Sequence, residues 1–177
     1  MSPVITRLPS IIQGVELFAL ALEGSGREAE RTAVATLGNE ILHSPIDHKP
    51  DGSPYASCCP ELPVSVSHSS TTAILAVWHN GSGKQIGVDI ESPRRSSQLE
   101  RVRRRFVAKT DDTAVLSLLH LWTAKEAAYK AVGKPGLSLT DITVRADGSI
   151  TAADLDMQVA WTYHPHNGEL IALTAAV

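Results

Sequence analysis

Residues 122–130 read Trp-Thr-Ala-Lys-Glu-Ala-Ala-Tyr-Lys, and their spacing is that of one helix with two unlike faces. At about 100° per residue, the large and charged side chains fall on one side and the small ones on the other. The first side carries Trp122, Lys125, Glu126, Tyr129 and Lys130, and the second carries Ala124, Ala127, Ala128 and Ala131. Because alanines let a helix approach a sheet or a second helix closely, we expect the alanine side to pack into the fold and the charged side to border a cleft.

The charged side of this helix has the chemistry of a site for a metal ion and a phosphate group. Lys125 and Lys130 flank Glu126, so a carboxylate would bind the ion while two ammonium groups bind phosphate oxygens. The same residues also fit an ordinary surface helix with charge pairs at helical spacing. This segment alone does not decide between the two interpretations.

A second acidic motif, Gly87-Val-Asp-Ile-Glu91, lies on a predicted strand. Asp89 and Glu91 are two positions apart and therefore project from the same face of that strand. With Glu126 they offer three oxygen ligands of the kind that Mg²⁺ prefers. Gly87 would permit close approach of a backbone or a ligand. The competing interpretation of the two carboxylates is a solvent-facing edge of a hairpin.

Composition limits the class of protein. The 177 residues are 43% hydrophobic and 20% charged, which is enough for one compact domain with a substantial core. The net charge of -3 argues against a globally basic nucleic-acid binder. Neither a secretory signal nor a run long enough to span a membrane is recognisable, and the two neighbouring cysteines are too few for a disulfide framework. We expect a reduced, cytoplasmic protein.

The order of predicted elements indicates an α+β fold rather than a parallel α/β sheet. Helices are predicted from Gly26 to Leu42, around Leu99 to Phe106, and through residues 122–130 to Gly133, with a cap for the last at Thr110 to Thr113. Asp47 to Pro60 is predicted to be a loop. The predicted strands are Val15–Leu22, Val64–His68, Thr72–Trp78, Gln85–Glu91, Ile142–Arg145, Ile150–Ala153, Val159–Tyr163 and Leu170–Ala175. We expect Thr72–Trp78 and Gln85–Glu91 to form an antiparallel hairpin.

Positive charge is concentrated between the two acidic motifs. The cations are Arg94, Arg95, Arg101, Arg103, Arg104, Arg105 and Lys109. They form either a solvated basic face or a docking surface for an acidic partner, where charge would mainly raise the encounter rate and set orientation. Nucleic acid is less favoured as a partner, because no aromatic stacking pattern accompanies the arginines.

Taken together, the motifs resemble those of the 4'-phosphopantetheinyl transferase superfamily in content and order. They are Ser67-His68-Ser69, Gly87-Val-Asp-Ile-Glu91 and Trp122-x-x-Lys-Glu-x-x-x-Lys130 followed by Gly133, and the resemblance spans about residues 46–139. It implies transfer of the phosphopantetheine arm of coenzyme A to a serine of an apo carrier protein, with release of 3',5'-ADP. It also implies a single chain of two similar α+β halves, about residues 1–84 and 85–177, acting as a monomer.

The resemblance implies roles for individual residues. Asp89, Glu91 and Glu126 would hold Mg²⁺ against the coenzyme A diphosphate, and Glu126 would act as general base, directly or through a metal-bound water. Ser67, His68, Lys125 and Lys130 would bind coenzyme A, with His68 and Lys130 on phosphate oxygens and Lys130 stabilising the leaving phosphate. The apo acyl or peptidyl carrier protein would dock on Arg101, Arg104 and Arg105.

Two features depart from the family pattern. Ser53 stands where members often have a lysine before the Ser-His motif, and Asp111 and Asp112 come nearest to a glutamate that members often have after the phenylalanine matching Phe106. A non-catalytic relative that binds coenzyme A or a carrier protein is therefore the alternative to the enzyme. A third, less favoured hypothesis is an RNA-binding module that uses the arginine-rich segment.

Overall fold

The computed structural model of the protein describes residues 3–10, 12–81, 83–152 and 155–176. Its α-helices are α1 (Arg27–Leu37), α2 (Ser96–Val102) and α3 (Leu118–Val132). Its strands are β1 (Ile5–Leu8), β2 (Val15–Ala21), β3 (Ile46–His48), β4 (Pro54–Ala56), β5 (Val64–His68), β6 (Thr72–Trp78), β7 (Ile86–Glu91), β8 (Ile142–Val144), β9 (Ser149–Ala152), β10 (Leu155–Tyr163) and β11 (Leu170–Ala176). A wider helical turn, Gly38–Leu42, extends α1.

Two antiparallel sheets form the body of the protein. The first has the strand order β1-β2-β6-β5, and the second has the order β7-β11-β10-β9-β8. Strands β3 and β4 make a separate two-stranded hairpin. Antiparallel sheets combined with helices confirm the predicted α+β class.

The layers of the protein are joined by three apolar clusters. Between α1 and the first sheet lie residues such as Leu37, Leu75 and Val77. Between the two sheets lie Leu17, Ile74, Val88 and Ile171, among others. Between α3 and the second sheet lie Leu121, Ala124, Ala128 and Ala172, among others. The sheets are therefore packed face to face, with α1 and α3 on the two outer surfaces.

The edge strands β5 and β7 come together where the two sheets meet. There the backbone N–H of Val88 donates to Ser65 Oγ at 3.0 Å, which satisfies a buried donor that no strand partner reaches. Successive side chains alternate between faces, so Val88 and Ile90 enter the core between the sheets while Asp89 and Glu91 face α3. The predicted common face of the two carboxylates is confirmed, and both are buried.

Helix α3 packs directly on β7. A Cβ added to Gly87 would lie 1.9 Å from the carbonyl oxygen of Ala127, so only glycine permits this approach. Ser117 caps the helix by accepting from the His120 N–H, and Gly133 ends it in the left-handed region at φ 58°. The predicted cap at residues 110–113 was wrong, because the chain makes an extra loop before the helix begins.

Other sequence predictions also need correction. The hairpin of β6 with β7 was wrong: β6 pairs with β2 and β5, whereas β7 pairs with β11. The turn signal after β6 instead marks a crossing from one sheet to the other. The predicted loop of residues 47–60 contains the β3–β4 hairpin, and β1 was not predicted. The predicted strand from Ile150 corresponds to β9, and Ala153 lies outside the described residues.

Within the described ranges, no helix combines the length and the apolar character needed to cross a membrane.

Candidate active site

Lys130, Ser67 and Asp89 converge where β5, β7 and α3 meet. The Lys130 ammonium group donates to Ser67 Oγ at 2.9 Å, to the Val88 carbonyl oxygen at 3.0 Å and to Asp89 Oδ1 at 2.8 Å. The Ser67 hydroxyl donates to the same Asp89 oxygen at 2.9 Å. The fold thus brings one residue of each sequence motif, Ser67, Asp89 and Lys130, to one point at the boundary between the two sheets.

A cavity of about 870 Å³ opens beside this cluster. Ser67, Asp89 and Lys130 form part of its wall, and α1 contributes Arg27 and Arg31. Its further lining residues include Glu30, Asn39, Ile46, His48, Val66 and His68. Both the volume and the mixture of apolar wall with a few charged groups are typical of sites for small molecules and cofactors. His68 is half-exposed at this wall, 3.6 Å from the carboxylate of Glu30.

The acidic residues are close enough to affect one another's ionisation. Burial and the Asp89 charge raise the pKa of Glu91 to about 7, although Arg95 and a hydrogen bond from Trp122 oppose the shift. Burial and Asp89 also raise the pKa of Glu126, while Lys130 and Arg95 oppose this. Asp89 Oδ2 is buried and has no hydrogen-bond partner among the described residues. The site therefore concentrates negative charge that a bound cation would stabilise.

Glu91 is engaged by a cation of the protein itself. The Arg95 guanidinium and the Trp122 indole N–H both donate to Glu91 Oε1, the latter at 2.9 Å. Arg95 also lies over the Trp122 ring, 5.5 Å from its centroid. Phe106 packs edge-to-face against the same Trp122 ring, with 5.1 Å between the two ring centroids. Sequence reasoning placed Arg95 in a basic segment and missed this contact, because Glu91 ends a strand and no local periodicity relates the two side chains.

The donor set fits Mg²⁺ in its chemistry, but it is not closed around a single point. Within the ranges that the structure describes, no three His, Cys, Asp or Glu side chains form a group ready to enclose a metal ion. The unpartnered oxygen of Asp89 and the half-buried carboxylate of Glu126 are suitable hard oxygen ligands. Glu91 could bind the ion only after releasing its ion pair with Arg95.

Lys125 is not part of the cleft. Its side chain is fully buried, and its ammonium group forms an ion pair of 2.7 Å with the equally buried Asp111. It also donates to the backbone carbonyl oxygens of Leu139 and Ile142. Burial lowers the pKa of Lys125, and the hydrogen bond and charge of Asp111 oppose that shift. The prediction that Lys125 shares the cleft face of α3 was wrong, and its contacts are those of a structural residue.

The basic segment remains on the surface. Arg101, Arg104 and Arg105 are exposed, and the first two line a depression of about 610 Å³ together with Glu100, Arg103 and Val107. Arg103 is paired with Glu100 at 3.6 Å, which leaves the other three cations for solvent or a partner.

Comparison with known proteins identifies the family of the chain. Residues 85–175, which include β7 and α3, match the family model of the 4'-phosphopantetheinyl transferase superfamily. The match covers more than half of the chain, and the protein belongs to this superfamily.

A curated relative carries the same family name. The chain is similar to 4'-phosphopantetheinyl transferase HetI of Nostoc sp. strain PCC 7120, with 31% identity over 107 residues. The match covers 55% of this chain and 44% of the relative, so the chain corresponds to less than half of that protein's length.

Proposed function

We propose that the protein is an enzyme that transfers the 4'-phosphopantetheine arm of coenzyme A to a serine of an apo carrier protein. The observation that carries this proposal is the Lys130–Ser67–Asp89 cluster, which forms one wall of a cofactor-sized cavity. A lysine beside an acidic group at such a wall is suited to bind a diphosphate and a divalent cation together. Family membership supports the same reaction.

The large cavity is the proposed site of coenzyme A. Arg27, Arg31 and His68 line it and offer positive charge or hydrogen-bond donors to phosphate groups. Ser53 supplies no charge where family members often have a lysine, and Lys49 lines a neighbouring, smaller cavity rather than this one. Arg31 is therefore the residue that we assign to replace the missing lysine.

In the proposed reaction, the carrier serine oxygen attacks the phosphorus that bears the pantetheine arm. The bond from this phosphorus to the bridging oxygen breaks, and 3',5'-ADP leaves. Glu126 accepts the serine proton, a task that its raised pKa favours, and Lys130 exchanges part of its contact with Asp89 for phosphate oxygens. Mg²⁺, held by Asp89, Glu126 and Glu91, would neutralise charge on the diphosphate.

The carrier protein is proposed to dock on the exposed arginines of α2 and the turn after it. Arg101, Arg104 and Arg105 are exposed, and none of them forms an ion pair within the described part of the chain. An acidic carrier would be steered to this surface by charge and oriented toward the site. This docking surface and the cofactor cavity are formed by one chain, which is consistent with the proposed monomer.

A two-half organisation is part of this proposal. Residues before 84 supply every strand of the first sheet, and residues after 85 supply every strand of the second. Each sheet is covered by its own long helix, α1 or α3. The cleft between the sheets then takes cofactor contacts from both halves.

One observation favours the alternative of a non-catalytic relative that binds coenzyme A or a carrier. Glu91 is occupied by Arg95 and Trp122, and the described residues hold no ready three-ligand metal group. The unpartnered oxygen of Asp89 and the elevated pKa of Glu126 favour the enzyme instead.

Intact-mass spectrometry of apo carrier proteins, incubated with this protein, coenzyme A and Mg²⁺, tests the proposal. We expect a gain of one phosphopantetheinyl arm, abolished by EDTA. Retained coenzyme A binding without transfer to any carrier would favour the non-catalytic relative, and loss of both would contradict the proposed function.

A further inference from the structure

Arg95 makes three separate contacts around Glu91. It forms an ion pair with the carboxylate, its guanidinium lies over the Trp122 ring at 5.5 Å, and its Nε donates to Gln98 Oε1 at 3.3 Å. Trp122 completes the group by donating its indole N–H to the same Glu91 oxygen that Arg95 binds. The Arg95 side chain is thus held in place by the short helical segment that follows β7.

Asp89 and Glu91 are each paired with a cation of the protein, but the two carboxylates differ in the rest of their surroundings. Asp89 Oδ1 binds Lys130, but Oδ2 of the same carboxylate is buried without a partner in the described part of the chain. Glu91 accepts two hydrogen bonds at one oxygen, Oε1, from the Arg95 guanidinium and from the Trp122 indole. A metal ion that binds Glu91 must therefore displace the Arg95 guanidinium from the carboxylate.

We propose that Arg95 competes with the metal ion for Glu91 and so sets how tightly the protein binds metal. In the metal-free protein the guanidinium occupies the carboxylate. When the ion binds Glu91, Arg95 gives up that contact and keeps its position over the Trp122 ring. Arg95 is therefore a positioning residue, and this inference rests on the proposed metal site.

The role of Arg95 differs from a general effect of positive charge. Arg94, its immediate neighbour, is exposed to solvent, and its side chain makes no hydrogen bond or ion pair with the described residues. Solvent and salt weaken the field of an exposed charge that makes no contact, whereas a half-buried contact pair is screened much less. Arg94 thus provides a control of equal charge one position away.

The test is the affinity for Mn²⁺, measured by electron paramagnetic resonance of the free ion with neither coenzyme A nor carrier present. Mn²⁺ takes the same carboxylate and water ligands as Mg²⁺. The variants are Arg95→Gln, Arg95→Lys and Arg94→Gln, with Glu91→Gln and the double variant Glu91→Gln/Arg95→Gln. Circular dichroism verifies that each is folded.

We expect Arg95→Gln to tighten Mn²⁺ binding by about fivefold, since one charge-assisted contact no longer has to be broken. Arg95→Lys should fall between it and the wild type, and Arg94→Gln should change the affinity by less than about twofold. In the Glu91→Gln background, removing Arg95 should have little further effect.

Equal effects of Arg95→Gln and Arg94→Gln would overturn the proposal, as would weaker binding by Arg95→Gln. Tightening that persists in the Glu91→Gln background would also overturn it, because Arg95 would then act by its charge and not through Glu91. If the wild-type protein bound no Mn²⁺, both the metal assignment and the role of Arg95 would be wrong. Transfer of the arm is measured separately by intact mass, so the two failures are distinguishable.

Discussion

Lys125 and Lys130 lie five positions apart on α3, and their ammonium groups have entirely different surroundings. At about 100° per residue the two side chains differ by roughly 140° around the helix, so they cannot share a narrow face. Lys130 points to Asp89 and Ser67, whereas Lys125 lies beside Ala128 and reaches the buried Asp111. Helical spacing alone predicted that Lys130 and Glu126 lie on the charged side of α3. It could not reveal the buried partner of Lys125, which comes from a loop.

The buried pair predicts a large loss of stability when Lys125 is removed. Lys125→Met leaves the Asp111 carboxylate buried without its cation, which costs about 3–5 kcal/mol of unfolding free energy. Urea unfolding measures this cost, with the exposed Lys134→Met as the matched control. The double change Asp111→Asn/Lys125→Met should cost less than the sum of the single changes.

One outcome would contradict the structural role of Lys125. Lys125→Met with unchanged stability but weaker coenzyme A binding would mean that the ammonium group reaches the cofactor after all.

At the scale of elements, the contact of α3 with β7 determines where Glu126 and Lys130 lie. Gly87 and the alanines of α3 let the two backbones approach, which holds the helical carboxylate near Asp89. Sequence reasoning predicted that the alanine stripe packs closely into the fold and that Gly87 admits a backbone or a ligand, but it did not pair the helix with this strand. It also predicted most strand positions, because alternation and apolar runs are local signals.

The same contact predicts the effect of Gly87→Ala. Its new methyl group would lie 1.9 Å from the Ala127 carbonyl oxygen, so the helix must move away from the strand. We expect a loss of about 3 kcal/mol or more in unfolding free energy, together with reduced transfer activity.

Gly52→Ala is the control for Gly87→Ala. Gly52 has open space around it and a φ of 86°, so only the left-handed backbone is strained, at a cost of about 1 kcal/mol. Equal losses in the two variants would contradict the close packing of α3 on β7.

Strand pairing was predicted less well than strand position. The turn after Trp78 has the residues of a hairpin, yet β7 crosses to the other sheet and pairs with β11, about eighty residues further along the chain. A turn signal is local, whereas the choice of partner depends on burying both faces of β7, between the sheets and under α3. No local pattern carries that information.

For the whole molecule, the candidate site depends on bringing distant segments together across the boundary between the sheets. Ser67 on β5 lies beside Lys130 on α3, and Arg31 of α1 lines the same cavity. The resemblance of motifs predicted that the first two would be near each other. The contribution of α1 and the contact of Arg95 with Glu91 could not be located without the fold.

The docking surface and the cofactor cavity share no lining residue, which predicts separable effects on the two substrates. We expect the double reversal Arg104→Glu/Arg105→Glu to raise the KM for an acidic carrier by about tenfold or more, because like charges then oppose docking. Coenzyme A binding, measured by calorimetry, should stay within about twofold of wild type, since neither arginine lines the cavity.

Arg7→Glu reverses one exposed charge on β1 and lowers the net charge by two units, against four for the double variant, so it controls for charge reversal away from the docking surface. An equal loss of coenzyme A binding and carrier use in the double variant would argue against a docking surface, as would an equal rise in KM for Arg7→Glu.

The most direct measurement is the rate at which Glu126→Gln loads a carrier, followed by intact mass under single-turnover conditions. Glutamine neither accepts the serine proton nor offers a charged metal ligand, so we expect loading to slow by about 100-fold or more. Coenzyme A binding and the melting temperature should remain near wild type, and the exposed Glu40→Gln should load normally. Loading by Glu126→Gln at close to the wild-type rate would contradict the assignment of this site.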